Sequence, residues 1–193
     1  MRIELYEYDD TSQNIGIAEI HNSKNLKQQE LVELATSLSK NSLNVQLLNA
    51  SLIADEVHLL SAAQNAINAE QGEYMLSKSL DVEIIVFAST QRQIGRALDA
   101  LGVYDGIDNV AVVVVGPDST SVKNTIGEII KQVGEEVVPP FKATRNRLDQ
   151  IKHHYQITDK EIDAIEESEA TESRMGALAR CVASRVALVA FDN

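Results

Sequence analysis

From Val82 to Ala88 the chain is nearly unbroken in apolar, mostly β-branched residues, the pattern of a strand covered on both faces. Ser89 and Thr90 follow as residues able to cap a helix. Ile94, Ala97, Leu98 and Leu101 then recur at i, i+3, i+4 and i+7, which predicts a helix with one buried face. Gly102 stands where a helix C-terminus takes left-handed backbone. After a short loop comes a second apolar run, Val110 to Val115. The spacing predicts a strand–helix–strand unit whose two strands are parallel neighbours.

The same reading extends along the chain. Arg2 to Tyr8 alternates as a half-buried strand. A polar turn at Asp9 to Asn14 separates it from a second strand at Ile15 to Ile20, so a hairpin is expected. Ser23 and Asn25 are cap candidates for a helix running to about Lys40, with Leu31, Leu34, Ala35 and Leu38 on one side. Val45 to Leu48 is a short strand. Asp55 caps a helix from Glu56 to about Glu70, whose small residues Ser61, Ala62, Ala66 and Ala69 let another backbone come close. A short segment, Tyr74 to Ser79, leads into the central unit. Beyond Val115, Gly116-Pro117-Asp118 is a turn, and Ser119 or Thr120 caps a helix to about Val133. Val137-Val-Pro-Pro is extended, because proline suits neither a helix interior nor a central strand. Phe141 to His154 is the basic stretch, with Lys142, Arg145, Arg147 and Lys152. Thr158 to Glu172 turns acidic and holds a short surface helix. Met175, Leu178, Ala179, Val182, Val186 and Val189 keep helical spacing in a terminal helix that is apolar nearly all round. A terminal edge strand over Val186 to Phe191 is the alternative there. The fold class is mixed α/β, one domain over residues 1–193. It has a small mixed β-sheet with the strand–helix–strand unit, flanked by helices and ending in a long C-terminal helix.

Composition narrows the function. A formal net charge of −12 excludes a general nucleic-acid coater, so any RNA contact must be a local patch. Aromatic residues are 4% of the chain with no Trp, so aliphatic and alanine packing dominates the core. One cysteine, Cys181, rules out an internal disulfide framework or a cysteine metal cluster, and reads as a small buried hydrophobe. The N-terminus has no apolar signal core and no apolar run is long enough to span a membrane, so a cytoplasmic protein is expected.

Candidate chemistry is sparse. The helix after Ser89 carries Arg92, Arg96 and Asp99 on its outward face. These residues read either as a solvated face with an Arg96–Asp99 pair or as an anion site, in which free N–H groups and two guanidiniums meet a phosphate or carboxylate. His58 reads first as a structural hydrogen-bonder. Adjacent His153 and His154 point some 100° apart on a helix and make no metal pair. The basic stretch reads as a solvated helix or, less readily, a contact for a nucleic-acid backbone. No phosphate-binding loop, catalytic triad or paired carboxylate motif is present, and neither a metal nor a cofactor is expected. The apolar terminal helix is either covered internally or offers a partner site.

The order Ser77, Ser79, Glu83, Ala88, Ser89, Arg92, Gln93, Ile94, Ala97, Leu98 and Gly102 resembles the kinase-binding subunit of the KEOPS complex, the PRPK-binding protein family of archaea and eukaryotes. The likeness extends upstream through His58-Leu-Leu-Ser-Ala-Ala and downstream through Gly116-Pro117. It resumes in Gly176-Ala-Leu and Arg185-Val-Ala-Leu. Its motifs are diffuse, and their order over more than half the chain carries the resemblance. What it implies is a non-catalytic regulatory subunit, archaeal in type, that docks on the N-terminal lobe of the small atypical KEOPS kinase/ATPase and stimulates it. Through that kinase it would meet the threonylcarbamoyl transferase subunit, in a complex that makes threonylcarbamoyladenosine in tRNA. In archaeal relatives the subunit also holds the 3′ CCA end of tRNA. Carried onto this chain, the resemblance implies kinase docking on the terminal helix through Leu178, Val182, Arg185, Val186 and Val189. Charge placement adds Arg92, Arg96 and Lys78 as phosphate contacts, with His58 beside a splayed base. The rival reading is a domain or enzyme that binds a small anionic metabolite at the Ser89–Arg96 helix start.

Overall fold

The structure is a computed structural model that describes residues 1–8 and 11–190. The expected hairpin is formed by β1 (Arg2–Tyr8) and β2 (Thr11–His21), which pair antiparallel. The ladder already includes Thr11 to Asn14, where a polar turn was expected, because polar side chains at a sheet end do not hinder backbone pairing. Asp9 and Asp10 of that turn lie outside the described residues.

Helix α1 (Gln28–Leu38) starts later than its cap candidates. Asn22 holds the intervening turn: its amide oxygen accepts from Leu26 N at 2.9 Å, and its Nδ2 donates to Leu26 O at 3.0 Å and Ile107 O at 3.1 Å. Lys27 is then the N-cap, with the Glu30 carboxylate accepting from its N–H at 2.8 Å. Strand β3 (Asn44–Asn49) and a 3-10 turn, Ala50–Leu52, lead to α2 (Glu56–Gln71), which Asp55 caps as the sequence predicts.

Val82 to Ala88 is not a strand. It lies within helix α3 (Leu80–Ser89), in which every side chain from Glu83 to Ser89 is buried. An apolar run suits a helix wrapped on all sides as well as a strand covered on both. Burial of Ile84, Ile85, Val86 and Phe87, at about 1.5–3 kcal/mol each, outweighs the few tenths by which each β-branched residue disfavours a helix. Helix α4 (Ile94–Leu101) follows, so the central unit is helix–helix–strand and contains no parallel pair. Gly102 closes α4 in extended backbone, φ −65° and ψ 157°, not left-handed. A Cβ there would lie 2.4 Å from Leu98 O, which is why glycine is needed.

Strand β4 (Asn109–Gly116) carries the second apolar run. It is followed by α5 (Ser119–Val133), which Asp118 caps in place of Ser119 or Thr120. After β5 (Glu135–Glu136) come α6 (Arg145–His154), α7 (Asp159–Asp163) and α8 (Thr171–Leu188). Val186 to Leu188 are helical, which removes the edge-strand alternative as far as the described residues reach; Phe191 lies outside them.

The sheet order is β1-β2-β4-β3 with β5 beside β2, and every pairing is antiparallel, so the mixed sheet expected from a parallel pair is not formed. Period-two alternation divides β4 between two cores. Val110, Val112 and Val114 pack with α1 and α5, whereas Ala111, Val113 and Val115 pack with α2, α3 and α8. The fold is thus mixed α/β, a sheet between two helical layers that ends in a C-terminal helix.

Candidate functional site

The terminal helix α8 is apolar nearly all round because its own fold covers it nearly all round. Leu178, Val182 and Val186 are fully buried and Val189 is 3% exposed, packed among α2, α3, α6 and α7. Four of the five side chains expected to anchor a partner therefore face inward. They set the position of α8 but offer no surface. The outward side consists of Arg180, Ser184 and Leu188, the last 54% exposed. Arg185, the fifth, lies at its edge. Its Nη2 donates to Glu161 Oε1 at 2.7 Å and Gln156 O at 3.3 Å.

These bonds tie α8 to α7. The Thr158 N–H, then Arg185 and the Thr158 hydroxyl, hold the Glu161 carboxyl down to about 2. Further along α8, Arg174 pairs with Asp159 at 3.1 Å and Asp163 at 2.8 Å. At the other end Arg92 Nη1 donates to Val189 O at 2.8 Å, supplying a cation and a donor where a helix C-terminus leaves carbonyls free.

The proposed RNA-contacting residues do not converge. His58 is fully buried. Its Nδ1 accepts from Ala54 N at 3.2 Å and its Nε2 donates to Ala88 O at 2.9 Å, which fixes the tautomer. Tyr155 crosses it edge to face at 5.5 Å and donates to the same carbonyl at 3.1 Å. Burial pulls the imidazole down to about 4, so it is neutral at pH 7. This histidine is a satisfied core group and cannot meet a base. Lys78 and Arg92, both exposed, flank opposite ends of α3, whose ten residues span about 15 Å. Arg96 is exposed, and among the described residues it makes neither the Asp99 pair nor any other ion pair or hydrogen bond.

Nor is Ser89 an open helix cap. It ends α3, buried, with its hydroxyl donating to Val86 O at 3.0 Å and accepting from Gln91 N at 3.2 Å. Thr90 is left-handed, φ 57°, and turns the chain from α3 into α4, whose N-cap is Gln93. The helix start expected to hold an anion thus lacks its hydroxyl. Glu83 is fully buried and accepts from Leu76 N at 3.0 Å and Ser77 N at 2.7 Å. It pins the loop before α3.

The basic stretch is also partly spent inside. Arg147 donates through Nη2 to Ala50 O and Ile53 O and lies over the Phe141 ring at 5.5 Å, and Lys152 pairs with Asp159. No residue pattern distinguished the inward Arg147 from the solvated cations of the stretch. The sequence also missed that α4 buries only half of its stripe: Ala97 and Leu101 are covered, whereas Ile94 is 36% and Leu98 45% exposed. Among the described residues no group of three histidine, cysteine or acidic side chains could hold a metal, and no helix is long and apolar enough to cross a membrane.

The regulatory protein Cgi121 of Methanocaldococcus jannaschii is 41% identical over 64 residues, a stretch covering 33% of this chain and 41% of that protein. Residues 17–190 match the family described as kinase binding protein CGI-121. With the match running from β2 to the end of α8, the chain belongs to the kinase-binding CGI-121 family.

Proposed function

We propose that this chain is a non-catalytic regulatory subunit of the KEOPS complex that binds and stimulates the complex's atypical kinase/ATPase. The observation that carries this reading is the family match over residues 17–190. Docking uses the outward side of α8, Arg180, Ser184 and Leu188 with Arg185 at the edge, while Leu178, Val182, Val186 and Val189 hold the helix in place. A helix seated on a kinase lobe raises activity only if it binds the active conformation better than the inactive one. Through the kinase the subunit reaches the threonylcarbamoyl transferase, and it helps recruit the tRNA 3′ end for threonylcarbamoyladenosine synthesis. Arg92, Arg96 and Lys78 serve as separate phosphate contacts, not as one pocket, and His58 has no part in RNA contact.

Calorimetry with the KEOPS kinase from the same source tests the reading. Wild type binds, and Leu188→Asp, at an exposed position, weakens binding at least tenfold with the fold intact. Failure of folded wild type to bind would refute the assignment. Binding that survives Leu188→Asp and Arg180→Glu would move the interface off α8. For RNA, Arg92→Ala with Arg96→Ala reduces tRNA affinity and its salt dependence; an unchanged salt slope would remove these arginines from the contact.

A further inference from the structure

Strand β1 is an edge of the sheet, and the facing of its backbone groups follows from the ladder. Val45 N donates to Ser39 Oγ at 3.1 Å, so residue 45 bonds away from β4. Val45 stands opposite Val114, Val114 opposite Gly16, and Gly16 opposite Ile3. In an antiparallel ladder a residue that does not bond one neighbour bonds the other. Val114 and Gly16 therefore bond each other, and Ile3 bonds outward. Val137 N, which donates to Glu19 O at 2.9 Å on the β1 side of β2, gives the same parity. Leu5, two residues on, faces outward as well.

Among the described residues the N–H and C=O groups of Ile3 and Leu5 have no hydrogen-bond partner. Neither residue is enclosed: Leu5 is 59% exposed and Ile3 half-buried. The register with β2 runs from Arg2 to Tyr8 without a bulge, and no proline interrupts it. An exposed, regular edge with unpaired backbone groups is a template for one more strand.

The side chains of β1 identify that strand. Alternation puts Arg2, Glu4 and Tyr6 on one face, where Tyr6 bonds Asn68 of α2, and Met1, Ile3 and Leu5 on the other, where Ile3 packs with the core beneath α5. Arg2 Nε donates to Glu4 Oε1 at 2.7 Å, and each side chain is 37% exposed. A second β1 laid antiparallel, with Ile3 opposite Ile3, places Arg2 opposite Glu4 of the second copy and Glu4 opposite its Arg2. Four charges then alternate in a square. On the other face each Met1 stands opposite a Leu5, with the two Ile3 side chains between them. Shifting the axis loses this match. An axis at Glu4 opposes two carboxylates, and an axis at Leu5 sets Glu7 against Ile3.

We propose that this chain forms a homodimer through β1, the two strands pairing antiparallel about a twofold axis at Ile3. Each Ile3 N–H donates to the C=O of the other, and each Leu5 N–H donates to the opposite Met1 C=O. The crossed Arg2 and Glu4 pairs set the register. Such a contact is isologous and closes at two copies. It uses no residue of α8, so it is independent of the kinase-docking reading.

Sedimentation equilibrium of the intact chain tests this. The mass rises with concentration from that of one chain toward that of two, and added salt weakens the association. Arg2→Glu and Glu4→Arg, both at part-exposed positions and checked for folding by circular dichroism, each weaken it at least tenfold. Mixing these two variants restores the dimer, because one edge is then all acidic and the other all basic. Arg2→Glu combined with Glu4→Arg in one chain also restores it, whereas an axis at Glu4 would oppose two arginines. A mass of one chain at every concentration overturns the proposal, as does association indifferent to both single variants. Failure of the mixture to associate overturns the crossed pairs, and failure of the combined variant overturns the axis at Ile3.

Discussion

Protonation of His58 should weaken the fold in a defined pH window. The neutral ring is held at both nitrogens, accepting from Ala54 N and donating to Ala88 O, inside a site closed to water. A second proton would turn the acceptor into a donor facing another donor. Burial therefore holds the group at about 4 in the native state against an ordinary 6.5. Above pH 6.5 neither state is charged and the contribution is complete. Between 6.5 and about 4 only the unfolded chain takes the proton, so stability falls with falling pH, by about 1.4 kcal/mol per pH unit. The total is about 3 kcal/mol, a large part of the 5–15 kcal/mol typical of a domain. Urea unfolding at pH 7, 6, 5 and 4.5 measures it, with His58→Gln alongside. The variant keeps an amide able to donate and accept but does not titrate. It should be less stable at pH 7 by about 1–3 kcal/mol, and the gap to wild type should narrow as pH falls. His154, which burial also pulls down, contributes in both proteins and cancels in the difference. Parallel pH profiles would refute the reasoning, because they would mean that no proton uptake at His58 accompanies unfolding.

Other expectations follow from single contacts. Glu83→Ala leaves Leu76 N and Ser77 N without their acceptor; it should cost about 2–3 kcal/mol in urea unfolding and speed hydrogen exchange at those two amides. Arg147→Met strands the carbonyls of Ala50 and Ile53 and should cost about 2–4 kcal/mol, with Arg147→Lys recovering only part, since a point charge cannot reproduce the guanidinium fork. Carboxyl-detected titration should place Glu161 at about 2, and Arg185→Gln should raise it only part of the way, because the Thr158 N–H is the larger cause. Arg92→Ala should raise exchange at the last turn of α8 without changing the core, as loss of a cap frays an end.

The outline of the fold was legible where one kind of residue has one use. Asp55 before an apolar repeat capped α2, and the alternation in β1 gave its strand. The two apolar runs show where legibility stopped. Val110–Val115 and Val82–Ala88 are alike in composition, yet one is the central strand and the other a helix buried on all sides. Period cannot separate them when no face is polar. The discriminating sign was at the margin: Ser79 with Asp81 and Glu83 is an acidic first turn, which favours the positive end of a helix. The sheet contained no parallel pair because the strand that would have made one does not exist.

The functional surface was harder to read, for a reason that α8 makes clear. An apolar stripe says that a side chain will be covered, not by what. Leu178, Val182, Val186 and Val189 satisfy the pattern of a docking face and are covered by α2, α3, α6 and α7. The pattern at Ile94 and Leu98 is that of an ordinary buried helix face, yet these two stay 36% and 45% exposed. Charge misled in the same way. Arg92 and Arg147 resemble free cations, but each closes a carbonyl of a distant helix or turn, 97 residues from Arg92 in one case. In an acidic chain with few cations, those bonded to carbonyls must release that bond to meet an anionic partner. Of Arg92, Arg96 and Lys78, only Arg96 and Lys78 can reach a phosphate without releasing a structural bond. RNA affinity should therefore respond to Arg96→Ala and Lys78→Ala with α8 unchanged, whereas Arg92→Ala should lower affinity and fray the end of α8 together.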